Sequence, residues 1–578
     1  MGPEVSSRKS LQTTPPWLRS PPSTRGAAPT CPRRIPGPMS STLETDLVIV
    51  GAGTAGCLLA RRLIEQTSAR VILLEAGPRY PGWALGAPLA GLRLRTNWSW
   101  RHQTVPQAAL DHRQIPIPMG RVVGGTSSVN AMVAAPGPPT DFDEWVRLGC
   151  EGWSADELAA SLQSTGRSLF QPVLPVSPAR FESPFSKAFL QACESIGLRH
   201  VEPFTGDRAR TCGLFPLFQQ HGTRCTAAQQ LRGLEQHPRF RLLTGQTVRR
   251  VLVERQQAVG VEIQSGRQQT VVRAQAGVIL SAGALQTPAL LQLSGVGPAA
   301  LLRHSGIAVE LELPGVGQGL QDHVGAPVVI QSRAASPGRP SRWLQAAVQW
   351  LLGRSGVMTS NCCEAGCFLG PDTGLPYGEI FTHFQTRRHS QAVELMCALV
   401  RPASRGSVTI DPADPWGPPR IDPGYLTDPA DWAPLRELVM TAREIAAQPA
   451  LREFGLGAEL LPGDQPLDEF LRRHASTCHH PVGSCRMGTD ALAVVNPRLE
   501  VHGLRRLWLA DNSIAPVIPR GHTAATALVI AEQGARLIAR QLNGAAGESP
   551  RPRREPRHCP TPTVAAHPMD AAGASARE

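Results

Sequence analysis

An α/β fold is what this sequence predicts, on three observations. Short β-branched runs alternate with helical stretches, one such run passes through a glycine turn straight into a helix, and a carboxylate closes the run after it. In chain order, Leu47 to Val50, Val71 to Leu74, Val271 to Leu280 and Leu507 to Ala510 read as buried strands. Thr54 to Gln66, Ser154 to Leu162, Ala433 to Ala447 and Ala524 to Gln541 read as helices, the third with Asp431 in the N-cap position.

The opening unit is the most informative. Asp46-Leu-Val-Ile-Val-Gly51-Ala-Gly53-Thr-Ala-Gly56 is a strand, a turn and the start of a helix, and Glu75 ends the next strand. This is a Rossmann-type βαβ fingerprint. Gly51 permits the tight turn, Gly53 lets backbone approach a pyrophosphate, and Gly56 lets the helix pack on the sheet with its N-terminus toward the phosphates. Glu75 would accept from adenosine ribose hydroxyls, which favours an unphosphorylated ribose. The motif alone does not separate NAD from FAD.

Composition bounds the rest. A chain of 578 residues with 42% hydrophobic content is long enough for two or three domains with substantial cores. No run reaches the ~18 to 20 apolar residues that span a bilayer, and no apolar core follows the basic start as a secretory signal requires. A soluble cytoplasmic enzyme without a transmembrane segment is expected. The net charge of +12 is almost all arginine, spread thinly and partly in the tails, so no nucleic-acid partner is expected. Thirteen cysteines, an odd number without a signal peptide, read as reduced thiols. Cys362, Cys363 and Cys367 cluster, as do Cys478, His479, His480 and Cys485, but neither group has paired C-x-x-C spacing and no metal is expected. Residues 1–44, rich in Pro, Ser and Arg, and the tail 546–578 are expected to be disordered. The first is Arg-rich like an organelle transit peptide, but Met39 stands directly before the folded core, so a start at Met39 rather than Met1 is preferred to targeting.

Two further stretches are specific. Gly120-Arg-Val-Val-Gly124-Gly125-Thr-Ser-Ser-Val-Asn130 is a second glycine loop, and Gly283-Ala-Leu-Gln-Thr287-Pro288-Ala-Leu-Leu-Gln-Leu-Ser294-Gly295-Val-Gly297 follows it. Together they resemble the two signatures of the glucose-methanol-choline (GMC) family of flavin oxidoreductases. The resemblance continues through Asp322-His323, Arg401 to Gly406, His480 to Gly488 and Asp511 to Pro516, and spans about residues 44 to 543. It implies FAD, with Gly51, Gly53, Gly56 and Glu75 at the pyrophosphate and adenosine end. Gly120, Arg121, Gly125, Thr126 and Asn130 would lie along the pyrophosphate and near the isoalloxazine, Val248 against the adenine, and Asp511 and Asn512 near the ribityl chain and flavin ring. Some members attach FAD through a histidine immediately before the position of Asn130; here that residue is Val129, so non-covalent FAD is expected.

The resemblance also implies a discontinuous FAD-binding domain, 45–140, 220–330 and 490–545, and an α+β substrate domain with an antiparallel sheet, 141–219 and 331–489. Oxidising an alcohol to an aldehyde or ketone by hydride transfer to flavin N5 needs a group that takes the hydroxyl proton, and histidine titrates in the right range. His480 resembles the family's catalytic histidine and His522 the second active-site position, the partner of the substrate oxygen. His479 reads as pocket wall, Asp322-His323 as a fold-stabilising turn, and Trp343, Trp350 and Phe384 as candidates to line the pocket. A small-molecule alcohol is the expected substrate. Oxygen and a quinone or other electron carrier both stand as acceptors. A GMC-type lyase that uses FAD without net oxidation, and a flavin-binding protein without catalysis, are the alternatives.

Overall fold

The computed structural model describes residues 42–163, 173–332, 340–372, 374–383 and 392–544. Most of both tails lies outside these residues, but the first strand already begins at Thr42. Two large sheets organise the chain. In the first, Phe240–Thr244, Val71–Glu75, Thr42–Val50 and Gln268–Leu280 run parallel, in that order, and Leu507–Leu509 pairs parallel with the far edge of Gln268–Leu280. The N-terminal half of Gln268–Leu280 continues into an antiparallel meander with Gln257–Ser265 and Thr247–Glu254. Leu47, Val48, Ile49 and Leu73, Leu74 are fully buried, as strands covered on both faces require.

Gly51 turns the chain from the first strand into the helix Thr54–Gln66 at φ +98°, where a Cβ would sit 2.5 Å from the Ser281 carbonyl oxygen. A Cβ on Gly56 would lie 1.9 Å from the Gly51 carbonyl, so this helix approaches its own turn more closely than any side chain allows. The helix Thr523–Leu542 packs alongside it.

The second sheet is antiparallel apart from one edge pair. Its order is Leu456–Leu461, Val324–Ser332, Ala392–Leu399, Gly378–His383, Ala365–Leu369, Thr211–Leu214 and Arg199–His200, with Ser476–Thr477 against Val324–Ser332. The helices Trp432–Ala446 and Pro184–Ser195 pack on one face around Leu435, Leu438, Phe185 and Phe189. Gly378 makes this approach possible, because a Cβ there would come within 2.3 Å of the Leu438 side chain. The opposite face presents Glu379, Phe381 and His383 at strand period two, beside Met396 and Ala398 of the neighbouring strand.

One expectation changes. Asp431 precedes the helix Trp432–Ala446 but does not cap it: its carboxylate accepts from Ala403 N at 2.6 Å, Ser404 N at 2.9 Å and Ser404 Oγ at 2.5 Å. A 3-10 turn, Pro429–Asp431, already leads into the helix, and Asp428 caps that turn through Ala430 N. The local sequence suggested a cap; a long-range loop uses the carboxylate instead. No helix among the described residues is long and apolar enough to cross a membrane.

Candidate active site

Between the C-terminal ends of the parallel strands and the open face of the antiparallel sheet lies a cleft of about 350 Å³. A second cavity of about 130 Å³ shares its wall at Gly53, Gly120, Gly125 and Ser281. Ligands of open α/β sheets bind outside the carboxyl ends of the strands, and these cavities are placed there. Gly51, Glu75 and Val248 line the smaller cavity; Thr126, Asn130, Asp511 and Asn512 line the larger, with His480 and His522 at its substrate-facing end.

Two expected residues line neither cavity. Gly56 serves the helix approach described above. Arg121 is exposed and stacks its guanidinium over Trp100, 4.6 Å from the ring centroid, while its backbone N–H donates to the Trp98 carbonyl.

Each glycine loop is held by its own hydrogen bonds. Glu75 accepts from Ala52 N at 3.0 Å and Gly77 N at 2.7 Å, fixing the first turn, and burial raises its pKa. Gly124 N donates to the Ala52 carbonyl, tying the second loop to the first. Asp511 accepts from Gly283 N, Thr287 Oγ1 and Ser513 N.

These residues fit a flavin dinucleotide. A Cβ on Gly53 would meet nothing nearer than the Ser281 oxygen at 3.9 Å and would project into the space that the two cavities share. Asn512 donates through Nδ2 to the Thr523 carbonyl, but its buried Oδ1 has no protein partner on the cleft wall. Such an acceptor calls for a ligand donor.

At the other end four titratable side chains form a chain of contacts. The segment carrying His480 is pinned from both sides: Cys478 N donates to the His323 carbonyl, Gln321 and Val482 exchange backbone bonds, and Cys485 N donates to the Ser513 carbonyl. His480 N donates to Asp322 Oδ1 at 2.7 Å, and Tyr425 Oη and Thr477 Oγ1 both donate to Asp322 Oδ2. Burial pushes the Asp322 carboxyl up to about 6 despite those donors. His522 is placed by a close crossing of backbones. A Cβ on Gly521 would overlap Pro136, and His522 N donates to the Ala135 carbonyl at 2.8 Å. The His480 and His522 rings stand edge to face, centroids 4.9 Å apart, and His522 Nε2 lies 3.0 Å from Glu379 Oε1.

Proton positions follow from the one partner that can only accept. His323 Nε2 lies 3.1 Å from the Pro519 carbonyl oxygen, so it carries the proton. Burial drives the His323 pKa down to about 3 and that of His480 well below the usual value, with His522 adding to both shifts, so both rings are neutral near pH 7. The bare Nδ1 of His323 then accepts across 2.9 Å from His480 Nδ1–H, and His480 is left with an unprotonated Nε2.

This arrangement sets a pH dependence. The folded pKa of His323 lies below its unfolded value, so acid protonates the unfolded chain first. The stability due to neutral His323 is complete above about pH 6.5 and is lost as pH falls toward 3. Lowering pH from 7 to 5 is expected to cost about 2 kcal/mol through His323 alone. Thermal melts should show a shallower acid decline in His323→Asn than in the wild type.

The structure brings His480 and His522, both expected from the sequence, side by side, and His479 lines the cleft. Sequence reading missed two residues. Asp322 does anchor the fold, but His323, read with it as part of a structural turn, touches His480 directly. Glu379 was not singled out at all; a lone acid inside the strand-like run from Gly378 to His383 was the available signal. Trp350 is corrected as a lining candidate: its indole N–H donates to the Gly222 carbonyl at 2.8 Å, away from the cleft. The Trp343 side chain and Phe384 lie outside the described residues. Among the described residues no group of three or more His, Cys, Asp or Glu side chains is arranged to hold a metal ion.

Two glycine loops on a parallel sheet, with a cleft that ends at paired, half-buried histidines, define a dinucleotide-dependent oxidoreductase. Comparison with known families agrees: GMC oxidoreductase models match residues 45–325 at the N-terminal side and 402–531 at the C-terminal side. The chain is 35% identical over 533 residues to the alcohol dehydrogenase (acceptor) of Pseudomonas putida, covering 86% of this chain and 96% of that one. It is 33% identical to the oxygen-dependent choline dehydrogenase of Photobacterium profundum, covering 85% and 92%. Among solved structures it resembles pyridoxine 4-oxidase from Mesorbium loti, with TM-score 0.74 and 32% identity, covering 85% of this chain and 98% of that one. The chain belongs to the GMC oxidoreductase family and is an FAD-dependent oxidoreductase.

Proposed function

We propose that this enzyme oxidises an uncharged, largely apolar alcohol to its carbonyl product, with His480 as the base and non-covalent FAD as the electron acceptor. The observation that carries the reading is the chain of contacts from the Pro519 carbonyl through His323 to His480; with Pro519 able only to accept, it implies a bare Nε2 on a cleft-lining histidine, able to take the hydroxyl proton. FAD held between the two glycine loops would supply the hydride-accepting chemistry. His522 donates to the substrate oxygen while Glu379 fixes its ring. The segments 42–140, 220–323 and 490–545 carry the cofactor, and 141–219 with 324–489 cover the substrate; the expected boundary at 330 moves because Val324–Ser332 pairs within the antiparallel sheet. Val129 occupies the place of a linking histidine, which supports release of FAD on denaturation.

The cleft chemistry supports the substrate class. Its wall offers Met132, Phe215, Phe381, Met396 and Ala398. The lining carboxylates among the described residues are Glu379 and Asp511, and both are engaged by protein donors. A quaternary ammonium is held best where a free carboxylate meets its charge, and among the described residues no free carboxylate lines that wall. Relatives named for choline make this a sharp test. In an anaerobic titration followed in the visible, benzylic and aliphatic alcohols are expected to bleach the flavin band and choline is not, and denaturation should free the FAD. Bleaching by choline at lower concentration than by any uncharged alcohol overturns the substrate class; flavin that stays with the denatured chain overturns non-covalent binding.

A further inference from the structure

Arg224, in the short strand Thr223–Arg224, is sealed inside the molecule at 1% exposure, and among the described residues no carboxylate pairs with it. A fully buried guanidinium is ordinarily held by an acid. Here the acceptors are neutral oxygens. Nη1 donates to the Asn130 carbonyl at 2.6 Å and to Asn130 Oδ1 at 3.1 Å, and Nη2 donates to the Pro88 carbonyl at 3.2 Å. Nε is buried without a protein acceptor. The helix Pro88–Leu94 makes room for this group at a glycine, since a Cβ on Gly91 would lie 2.9 Å from Nη2. The Tyr80 phenol, which bears on Arg224 electrostatically, is kept neutral by its own burial. Burial also lowers the Arg224 pKa to about 10, which leaves it a cation at pH 7.

This cation decides how Asn130 faces the cleft. Arg224 Nη1 and Met132 N both lie 3.1 Å from the Asn130 side chain and both can only donate, so both bonds end on Oδ1. Nδ2 is then the free end of a side chain that lines the cleft beside Gly120, Gly125 and Thr126. The amide therefore offers the cleft a donor, with an uncompensated positive charge directly behind it.

We propose that Arg224 is a positioning residue that acts through Asn130 to raise the reduction potential of the bound flavin. Taking up a hydride adds one negative charge to the flavin ring. A fixed cation in a buried wall stabilises that charge and does little for the neutral oxidised ring. This role rests on FAD lying along the second glycine loop, and it assigns the loop's last side chain a duty in driving force, separate from proton removal by His480.

The test is the midpoint potential of FAD in the full-length holoenzyme at pH 7, measured anaerobically against a reference dye. Arg224→Gln keeps a donor for Asn130 but carries no charge, whereas Arg224→Lys keeps the charge and loses the fork. The reduction equilibrium is expected to fall at least about tenfold in Arg224→Gln, ~30 mV for a two-electron couple, and to stay close to wild type in Arg224→Lys. Asn130→Asp guards against a glutamine variant that fails to fold: it keeps both accepted bonds, sets a counter-ion against Arg224 and should lower the potential at least as far. Three outcomes overturn the proposal: Arg224→Gln with the wild-type potential, Arg224→Gln and Arg224→Lys shifted equally, which would make Arg224 a packing element, or Asn130→Asp with the wild-type potential. In each of these the flavin is still bound, so the cofactor assignment stands; a wild-type chain that takes up no FAD overturns that assignment and this role with it.

Discussion

Replacing His480 by alanine is expected to slow anaerobic flavin reduction by alcohol by about a thousandfold without loss of bound FAD. The magnitude follows from the role. Without a base in contact, the hydroxyl proton must leave to water in a cleft where all four members of the contact chain, His323, His480, His522 and Glu379, are largely buried. The fold should survive, because Asp322 holds this segment through the backbone N–H of residue 480 and not through its ring. His323→Asn should give an intermediate loss and alter the pH profile, since it removes the acceptor that orders the His480 proton. Equal rates for wild type and His480→Ala at saturating alcohol would assign the base elsewhere.

The second large effect concerns the cofactor cradle. Gly125 has φ +55°, and a Cβ there would lie 2.6 Å from Gly53 Cα, so the two glycine loops touch at a point with no room for a side chain. Gly125→Val is expected to push the loops apart and yield a colourless chain, destabilised by about 2–4 kcal/mol from backbone strain and overpacking together. Gly245→Ala is the matched control. It also has a positive φ, +69°, but its Cβ would meet nothing within 4 Å. It should cost only about 1 kcal/mol and keep its flavin. A Gly125→Val protein that purifies with a full complement of FAD would show that the cradle lies elsewhere.

The parts of this molecule that were legible in the sequence are those set by backbone geometry over a few residues. The helix Thr54–Gln66 matches its expected bounds because a glycine turn on one side and polar residues on the other delimit it. The strand read as Val271 to Leu280 is longer, Gln268–Leu280, since its first half pairs with the meander and alternates buried with exposed residues. Contacts made across long sequence distances were hidden. Glu379 meets His522 across 143 positions, His323 meets His480 across 157, and Asp431 serves a loop nearly thirty residues upstream. Nothing local distinguishes such residues from a strand acid, a turn histidine or a helix cap.

The most direct test of the central claim is anaerobic single-turnover reduction by an aryl or aliphatic alcohol, with hydrogen or deuterium at the carbinol carbon, while carbonyl product is quantified against flavin. The expected result is one carbonyl formed per flavin bleached, with bleaching slowed by deuterium. Carbonyl product released while the flavin stays oxidised would contradict it and identify a lyase; no product and no bleaching with any alcohol would leave a flavin-binding protein without this chemistry.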